Sequence, residues 1–291
     1  MAELETRKLG NTGMTPTALG LGCAWFGSDK SSDLDAVEGI RHAIELGMNY
    51  LDTSAGYGES ERRVGLALEG GWRDKIYLQT KTGTHRDRPQ DYTSKGTRWS
   101  VENSLKILKT DYLDSVLIHD PTDIKISLTP GHALDELLEM KEEGMIGHIG
   151  VGCRPHDFHR RAIETGHIEI VLSFLDYTLL DQSVATSTLP LARQRGVGVI
   201  LASILGMGRL TGEEPDREQF PEAHDMWRWC RDNDVNIRHL ATQFCLAAPI
   251  EGIVMAGPCN RLEVDEVYQA VTAEVPQEIW TAFEATFGVA P

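Results

Sequence analysis

The sequence contains no run of about 18 consecutive apolar residues, which is the length that a membrane-spanning helix needs. Segment 1–13 carries charges where a secretory signal would have an apolar stretch, so we expect a protein that is neither secreted nor inserted in a membrane. Cysteine is scarce, and no CxxC pair indicates a zinc or redox motif. We therefore expect a reduced, cytoplasmic protein with five scattered cysteines: Cys23, Cys153, Cys230, Cys245 and Cys259.

Basic side chains are also in short supply. The chain has 28 lysines and arginines against 44 aspartates and glutamates, for a net charge of -16 at pH 7. This charge repels the phosphates of nucleic acids and of anionic membranes, so neither is an expected partner, although a local basic pocket for a phosphorylated cofactor remains compatible with it. Hydrophobic residues make up 41% of the chain, which is enough for a full-sized core and excludes a mainly disordered protein.

What the chain does contain is an alternation of short apolar, β-rich runs with longer amphipathic stretches, a pattern typical of repeated βα units on a parallel sheet. Eight strands are predicted at Thr17–Gly22, Met48–Asp52, Ile76–Lys81, Ser115–His119, Gly147–Val151, Ile170–Leu175, Val197–Ser203 and Gly252–Met255. Helices are predicted at Leu34–Leu46, Glu61–Glu69, Lys95–Leu108, Ala133–Glu143, Asp157–Thr165, Val184–Gln194, Ile237–Ala248 and Leu262–Val271. Left-handed C-caps are expected at Gly47, Gly144, Gly166 and Gly196.

These eight units predict an α/β protein with a single (β/α)8 TIM barrel over residues 1–291, since such barrels typically have about 250 residues. An open doubly wound sheet is the alternative, but its GxGxxG fingerprint is missing after the first predicted strand. An N-terminal β-hairpin over Arg7–Met14 is expected as a lid on one barrel end. Extra helices are predicted at Ala223–Asp232 and Pro276–Phe287, and the long loop 206–221 is expected to be functional or mobile.

Ionisable residues end three consecutive predicted strands. Asp52 ends the second, Lys81 the third and His119 the fourth, and a glycine-flanked loop after the second strand carries Tyr57. Because barrel enzymes place their active sites at the C-terminal ends of the strands, we expect these four side chains to meet at one rim. Each alone has a structural explanation, such as packing for Tyr57. A lysine that ends an apolar strand needs a carboxylate partner, and the convergence of four such groups favours catalysis.

These residue types suit the reduction of a carbonyl group or its reverse. A tyrosine titrates near 10 in water, and the ammonium of Lys81, held by Asp52, is expected to lower the pKa of Tyr57 so that it acts as acid or base. His119 would orient the substrate oxygen through a hydrogen bond. The four residues together therefore predict a proton-transfer group.

Two other chemistries fit the sequence less well. A barrel hydrolase with Asp52 and Glu59 as a carboxylate pair would leave the tyrosine and the lysine unexplained. His156 and His159 stand at a spacing of i, i+3, but no third ligand follows at a diagnostic distance, so no metal site is expected.

Several short motifs extend the pattern along the whole chain. They are RKLGNTG at 7–13, LGLG at 19–22, DTSAGYGESE at 52–61, TK at 80–81, DYLD at 111–114 with IHD at 118–120, and GMGRLTG at 206–212. In this combination the chain resembles the aldo-keto reductases. The resemblance implies hydride transfer between a nicotinamide cofactor and a sugar or small carbonyl compound, with Asp52, Tyr57, Lys81 and His119 as the catalytic tetrad.

The resemblance also implies a cofactor that lies extended across the barrel mouth, with segment 203–212 folded over its pyrophosphate. In NADP-preferring relatives the segment after the eighth strand is rich in lysine or arginine, whereas here Glu263 stands where an arginine is common. A carboxylate repels a 2′-phosphate and suits ribose hydroxyls, so NAD is favoured, although Arg261 could still serve NADP. Alternatively, Glu263 only complements the start of a helix. The residues expected to bind the cofactor are Gly22, Cys23, Ser173, Ser203, Leu205, Gly206, Gly208, Leu210, Gly257, Asn260, Arg261, Glu263 and Glu266.

Three positions depart from the family pattern around the nicotinamide. Gly152-Cys153 replaces a frequent Ser-Asn, Ser173 corresponds to the usual glutamine of the sixth strand, and Ala202 stands where a tyrosine often stacks on the ring. Nicotinamide binding is therefore expected to differ in detail. In lacking these residues, the chain resembles the L-galactose and L-fucose dehydrogenase branch of the family, which oxidises free aldoses to lactones.

An aldose 1-dehydrogenase is accordingly the expected activity. One alternative is an NADPH-dependent reductase of aldehydes or ketones, and another is a nicotinamide-binding sensor or accessory protein, against which the complete tetrad argues. We expect a monomer or a small homo-oligomer that acts on a small molecule, and the candidates for the substrate pocket are Trp25, His85 and Asp120.

Overall fold

Eight parallel strands pair in chain order, and the last pairs with the first, so that the sheet closes into a barrel. The protein is described from a computed structural model over residues 3–291. All eight predicted strands are confirmed, with ends that differ by one or two residues. They are β1 (Leu19–Gly22), β2 (Tyr50–Asp52), β3 (Tyr77–Thr82), β4 (Leu113–His119), β5 (Ile146–Gly152), β6 (Ile170–Phe174), β7 (Gly198–Ala202) and β8 (Gly252–Ala256).

Helices surround the barrel, and all ten that the sequence predicts are present. In the described residues they are α1 (Asp33–Glu45), α2 (Ser60–Ala67), α3 (Ser94–Leu108), α4 (Ile124–Leu128), α5 (Ala133–Glu142), α6 (His156–Glu164), α7 (Thr188–Arg195), α8 (Pro221–Asp232), α9 (Ile237–Leu246), α10 (Arg261–Thr272) and α11 (Gln277–Phe287). The short α4 was not predicted. The start of α7 was placed too early, because a separate 3-10 turn occupies Ser183–Thr186. Within 3–291, no helix combines the length and apolarity needed to cross a membrane.

Local sequence explains where several helices begin and end. At the start of α1, the Ser32 hydroxyl accepts a hydrogen bond from the Asp35 N–H at 3.1 Å, and the Asp35 carboxylate accepts one from the Ser32 N–H at 3.2 Å. All four glycines expected as C-caps have a positive φ, between 66° and 99°. These caps end the helices near the bottom of the barrel and return the chain to the next strand.

The N-terminal segment covers the barrel end opposite the strand C-termini. Leu9 is fully buried inside that end, and the Gly10 N–H donates to the Glu251 carbonyl at 3.2 Å, just before β8. The lid is therefore where it was expected. Its two arms pair through a few backbone hydrogen bonds, such as those from the Arg7 N–H to the Pro16 carbonyl at 2.8 Å and from the Leu9 N–H to the Met14 carbonyl at 3.3 Å, and through one bridge between Thr6 and Thr17. The predicted hairpin is therefore present, but its pairing is too irregular to form two strands. The proline at position 16 has no N–H to donate to such a ladder, which is one reason.

Two hydrophobic cores lie on the two faces of the sheet. One fills the space between the strands and the helices, and the other fills the barrel interior above Leu9. Side chains alternate between these cores along each strand. In β6, for example, Val171 belongs to the outer core and Leu172 to the inner one. This alternation decides which residues at the strand ends can face the barrel mouth.

Candidate active site

Asp52 and Lys81 form a buried ion pair at the C-terminal ends of β2 and β3. The Lys81 Nζ atom lies 2.5 Å from Oδ1 and 2.6 Å from Oδ2 of Asp52, and it also donates to the Thr53 carbonyl at 2.9 Å. The Gln79 amide donates to Asp52 Oδ1 at 2.6 Å. Burial lowers the pKa of Lys81, but the charge of Asp52 and the proximity of Tyr57 outweigh burial and raise this pKa above its usual value. Lys81 is therefore a fixed cation.

Tyr57 lies over this ion pair, on the loop between β2 and α2. The Lys81 Nζ atom is 4.5 Å from the centre of the phenol ring, and the Tyr57 hydroxyl is 3.4 Å from His119 Nε2. Burial raises the pKa of Tyr57, and the charge of Lys81 opposes this increase. The charge of Lys81 lowers the pKa of Tyr57, as expected. Burial has the larger effect, however, so the expectation that the phenol pKa is lowered overall is wrong. The protonated phenol is the favoured form.

His119 ends β4 and is held at both ring nitrogens. Its Nδ1 atom is 2.7 Å from Thr84 Oγ1 and 3.2 Å from Ser54 Oγ, and its Nε2 atom is 3.5 Å from Asp120 Oδ2. Burial and then the charge of Lys81 hold the pKa of His119 well below its usual value, so the ring is neutral near pH 7. The sequence interpretation missed Thr84 and Ser54. Their signal was their position, since they follow the same strands that end in the ion pair.

Strained backbone marks the mouth of the barrel. Three non-glycine residues with positive φ directly follow strand ends: Asp120 (39°) after β4, Leu175 (65°) after β6 and Ser203 (56°) after β7. Such conformations cost roughly 1–3 kcal/mol each and persist where the surrounding structure imposes them, often at functional sites. Their clustering at the strand C-termini is consistent with a site at this end of the barrel.

The loop after β7 is rich in glycines with left-handed backbone conformations. Gly206, Gly208 and Gly212 adopt left-handed conformations with φ of 61°, 96° and 101°. A Cβ atom at Gly208 would meet no atom within 4 Å, so the backbone there faces open space. These glycines let a ligand approach the main chain, as a pyrophosphate requires.

The family model for the aldo/keto reductase family matches residues 18–286. The chain belongs to this family. It is similar to the L-galactose dehydrogenase of Arabidopsis thaliana, with 31% identity over 288 residues that cover 94% of this chain and 89% of that protein. It is also similar to a D-threo-aldose 1-dehydrogenase of Pseudomonas sp, with 28% identity over 92% of this chain and 93% of that protein.

Among solved structures, the chain resembles an aldo-keto reductase from Bacillus halodurans in its holo form. The TM-score is 0.78 at 26% identity, and the match covers 97% of this chain and 96% of that one. Members of the family use nicotinamide cofactors. This aldo/keto reductase is therefore an NAD(P)-dependent oxidoreductase that transfers a hydride between nicotinamide and a sugar or small carbonyl compound.

The residues present fit a nicotinamide cofactor mainly through their backbone. Cys23 and Leu210, both expected at the cofactor, are fully buried in the outer core, and Leu205 packs against it. Gly22 ends β1, where a Cβ atom would lie 3.2 Å from the Ala256 carbonyl oxygen. These four residues can therefore line a cofactor with main-chain atoms, and their side chains serve packing.

Ser173 does not face the barrel mouth. It lies on the same side of β6 as Val171 of the outer core, and its hydroxyl donates to the buried carboxylate of Asp176 at 2.6 Å. Phe174 is the next residue, and it packs against the inner core. The expectation that Ser173 takes the place of the family's glutamine is therefore corrected, because the two-residue period of the strand turns Phe174 towards the interior instead.

At the start of α10, Asn260 and Glu263 cap the helix. The Asn260 side chain accepts a hydrogen bond from the Glu263 N–H at 2.9 Å, and the Glu263 carboxylate accepts one from the Cys259 N–H at 2.8 Å. Glu266 pairs with Arg238 of α9 at 3.0 Å. Both acidic side chains expected at the adenosine thus have partners within the protein, whereas Arg261 is exposed.

The three residues expected to bind the substrate lie in different places in the structure. Asp120 lies beside the tetrad, as its distance to the histidine shows. His85 instead packs edge-on against Trp99 of α3 with ring centres 4.7 Å apart, and its Nδ1 atom accepts from the Asp87 N–H at 3.1 Å. Trp25 lies next to the loop after β8, because a Cβ atom at Gly257 would be 3.2 Å from its ring. Of these three residues, Asp120 is therefore the one with a polar contact to the tetrad within residues 3–291.

The two histidines of α6 bind protein groups. His156 lies 2.8 Å from Asp176 and 2.9 Å from Ser187, and His159 Nε2 lies 2.8 Å from the Cys153 carbonyl oxygen. Over residues 3–291, no cluster of histidine, cysteine, aspartate and glutamate side chains has the arrangement of a metal site. These hydrogen bonds give both histidines a structural role within the protein.

Proposed function

We propose that this oxidoreductase is an NAD-linked aldose 1-dehydrogenase, which oxidises the C1 hydroxyl of a cyclic aldose to a lactone. The observation that carries the proposal is the position of Asp120. Its carboxylate is 47% exposed and lies 3.5 Å from His119 Nε2, where it can accept hydrogen bonds from the hydroxyl groups of a sugar. A simple aldehyde offers no such donors. The names of the two curated relatives support the same substrate class.

In this proposal Tyr57 is the acid–base residue. During oxidation its phenolate takes the proton of the C1 hydroxyl, the C1–H and O–H bonds break, and a C1 carbonyl forms. The nicotinamide, when bound, accepts the hydride. Lys81 stabilises the phenolate and is itself oriented by Asp52, and His119 donates a hydrogen bond to the substrate oxygen. In reduction the protonated phenol, the form favoured by burial, supplies the proton instead.

A substrate panel tests this function. Purified protein is assayed with NAD and NADP against free aldoses, and with NADH and NADPH against simple aldehydes and ketones. We expect oxidation of aldoses with a lactone as product, and we expect Asp120→Asn to lower kcat/KM for aldoses by about 10- to 100-fold. Its activity on any simple carbonyl compound should change far less. Efficient NADPH-dependent reduction without aldose oxidation would replace this proposal with a carbonyl reductase.

The preference for NAD rests on the charge at the start of α10. Glu263 caps the helix through the Cys259 N–H, and it keeps a negative charge at a position where NADP-preferring relatives often carry an arginine. Arg261 is the basic side chain of this segment. We infer that NAD binds more tightly than NADP.

The cofactor test removes that charge while keeping the shape of the side chain. Glu263→Gln should tighten NADP binding by about tenfold and leave NAD binding unchanged. Glu278→Gln, at the exposed first turn of α11, is the matched control and should alter neither dissociation constant. A wild-type protein that already prefers NADP would reject the assignment of Glu263 without bearing on the tetrad.

A further inference from the structure

Two hydroxyl groups flank the side of His119 that faces away from Tyr57. Thr84 Oγ1 lies 2.7 Å and Ser54 Oγ 3.2 Å from Nδ1, whereas Tyr57 and Asp120 approach Nε2. A neutral imidazole carries a single proton, and only the nitrogen that carries it can donate a hydrogen bond. The partners of the two nitrogens therefore decide what His119 can do.

The carboxylate of Asp120 distinguishes the two tautomers. With the proton on Nδ1, the lone pair of Nε2 would face the Asp120 oxygen 3.5 Å away, and an ionised carboxylate can only accept. With the proton on Nε2, that repulsion becomes an attraction. The Nε2–H tautomer is the one that can also donate to a substrate oxygen.

The hydroxyl groups favour the same tautomer. Ser54 Oγ already accepts a hydrogen bond from the Gly56 N–H at 3.0 Å, so its own hydrogen is available to Nδ1. Thr84 Oγ1 lies closer to Nδ1, and its other hydroxyl neighbour, Ser54 Oγ, is 3.5 Å away. An unprotonated Nδ1 is thus the best acceptor within reach of Thr84.

We propose that Thr84 is a positioning residue, whose hydroxyl donates to Nδ1 of His119 and keeps the ring proton on Nε2, facing the substrate oxygen. Ser54 provides a second and longer hydrogen bond to the same atom. Thr84 acts through His119 and does not touch the reacting atoms. The inference rests on the proposed function for its effect on rate, but the tautomer itself is a property of the protein alone.

The test compares three variants. Thr84→Val keeps the shape of the side chain and removes the hydroxyl, and Thr84→Ser keeps the hydroxyl. Thr82→Val is the matched control, because the Thr82 hydroxyl is buried at the end of β3, two residues before Thr84, and has no hydrogen-bond partner among the described residues. We expect Thr84→Val to lower kcat by about 3- to 10-fold with unchanged cofactor affinity, Thr84→Ser to recover most of it, and Thr82→Val to match wild type.

Nitrogen-15 NMR of histidine-labelled protein reads the tautomer directly, with the His119 signals identified by their loss in His119→Gln. Wild type, Thr84→Ser and Thr82→Val should show an unprotonated Nδ1 and a protonated Nε2, and Thr84→Val should show a mixture. A protonated Nδ1 in wild type would overturn the proposal, and so would a Thr84→Val protein with unchanged tautomer and kcat. If the protein oxidised no aldose, the proposed function would fail while the spectrum still decided the tautomer.

Discussion

The two halves of the barrel mouth work with different parts of the chain. The half formed by β2, β3 and β4 presents ionisable side chains, namely Asp52, Lys81 and His119, with Tyr57 above them. The half formed by β5, β6, β7, β8 and β1 presents Phe174, Ala202, Met255 and glycines, and it offers mainly main-chain atoms. Chemistry that moves a proton needs particular side chains, whereas an extended cofactor can be held by backbone. Four variants test this difference between the two halves, in order of decreasing expected effect.

The largest effect is expected in the polar half. Tyr57→Phe removes the hydroxyl that exchanges the proton, so turnover should fall by about two to four orders of magnitude while cofactor affinity changes little. Steady-state kinetics and cofactor titration separate the two quantities. For the wild type, the rate of oxidation should rise with pH through the neutral range, because the raised pKa keeps Tyr57 protonated there. Near-normal turnover of the variant would assign proton transfer to another group.

The ion pair of the same half should govern stability. Lys81→Met leaves Asp52 as a buried carboxylate without its cation, which destabilises a protein by about 3–5 kcal/mol when the pair is fully buried. Chemical denaturation measures the loss of unfolding free energy. The double variant Lys81→Met/Asp52→Asn removes the stranded charge and should regain part of it. Equal stability of wild type and the single variant would argue against a buried pair.

Behind the other half, on α6 outside the barrel, a buried histidine should make stability depend on pH. Burial lowers the pKa of His159 to about 4, against 6.5 for a free histidine. The unfolded chain therefore binds the proton more readily, and His159 makes stability fall as the pH drops from 6.5 to 4. The difference of about 2.5 corresponds to about 3 kcal/mol. Denaturation at pH 7 and pH 4.5 should show a smaller fall for His159→Gln than for wild type or the exposed control His167→Gln.

The smallest effect is expected from the glycine-rich loop after β7, which is proposed to contact the cofactor. Gly208→Ala forces a side chain into a left-handed conformation without a steric clash, which costs about 1 kcal/mol. Cofactor affinity should fall by about fivefold, with little change in kcat at saturating cofactor. Gly166→Ala, with φ of 78° and equally open surroundings at the end of α6, is the control for strain alone. If both variants changed cofactor affinity equally, Gly208 would have no particular role in binding the cofactor.

The polar half was also the easier one to interpret from sequence. Strand ends can be predicted from local periodicity, and ionisable side chains at these ends are visible directly in the sequence. The structure accordingly brings Asp52, Tyr57, Lys81 and His119 together. The side proposed to bind the cofactor is harder to interpret, because a main-chain contact would leave little trace in residue identity. Leu210 and Cys23 were expected at the cofactor, and the structure shows that their side chains lie in the core.

By itself, the sequence determined the eight βα units, the order of the strands and the strand ends to within two residues, since all of these follow from short-range patterns of apolar residues and glycines. Only the tertiary structure decided that Phe174 rather than Ser173 turns inward, that Glu263 caps α10, and that Thr84 meets His119. It also decided that burial outweighs Lys81 in setting the pKa of Tyr57. Orientation, partnership and desolvation depend on elements that are far apart in the chain, and no local pattern records them.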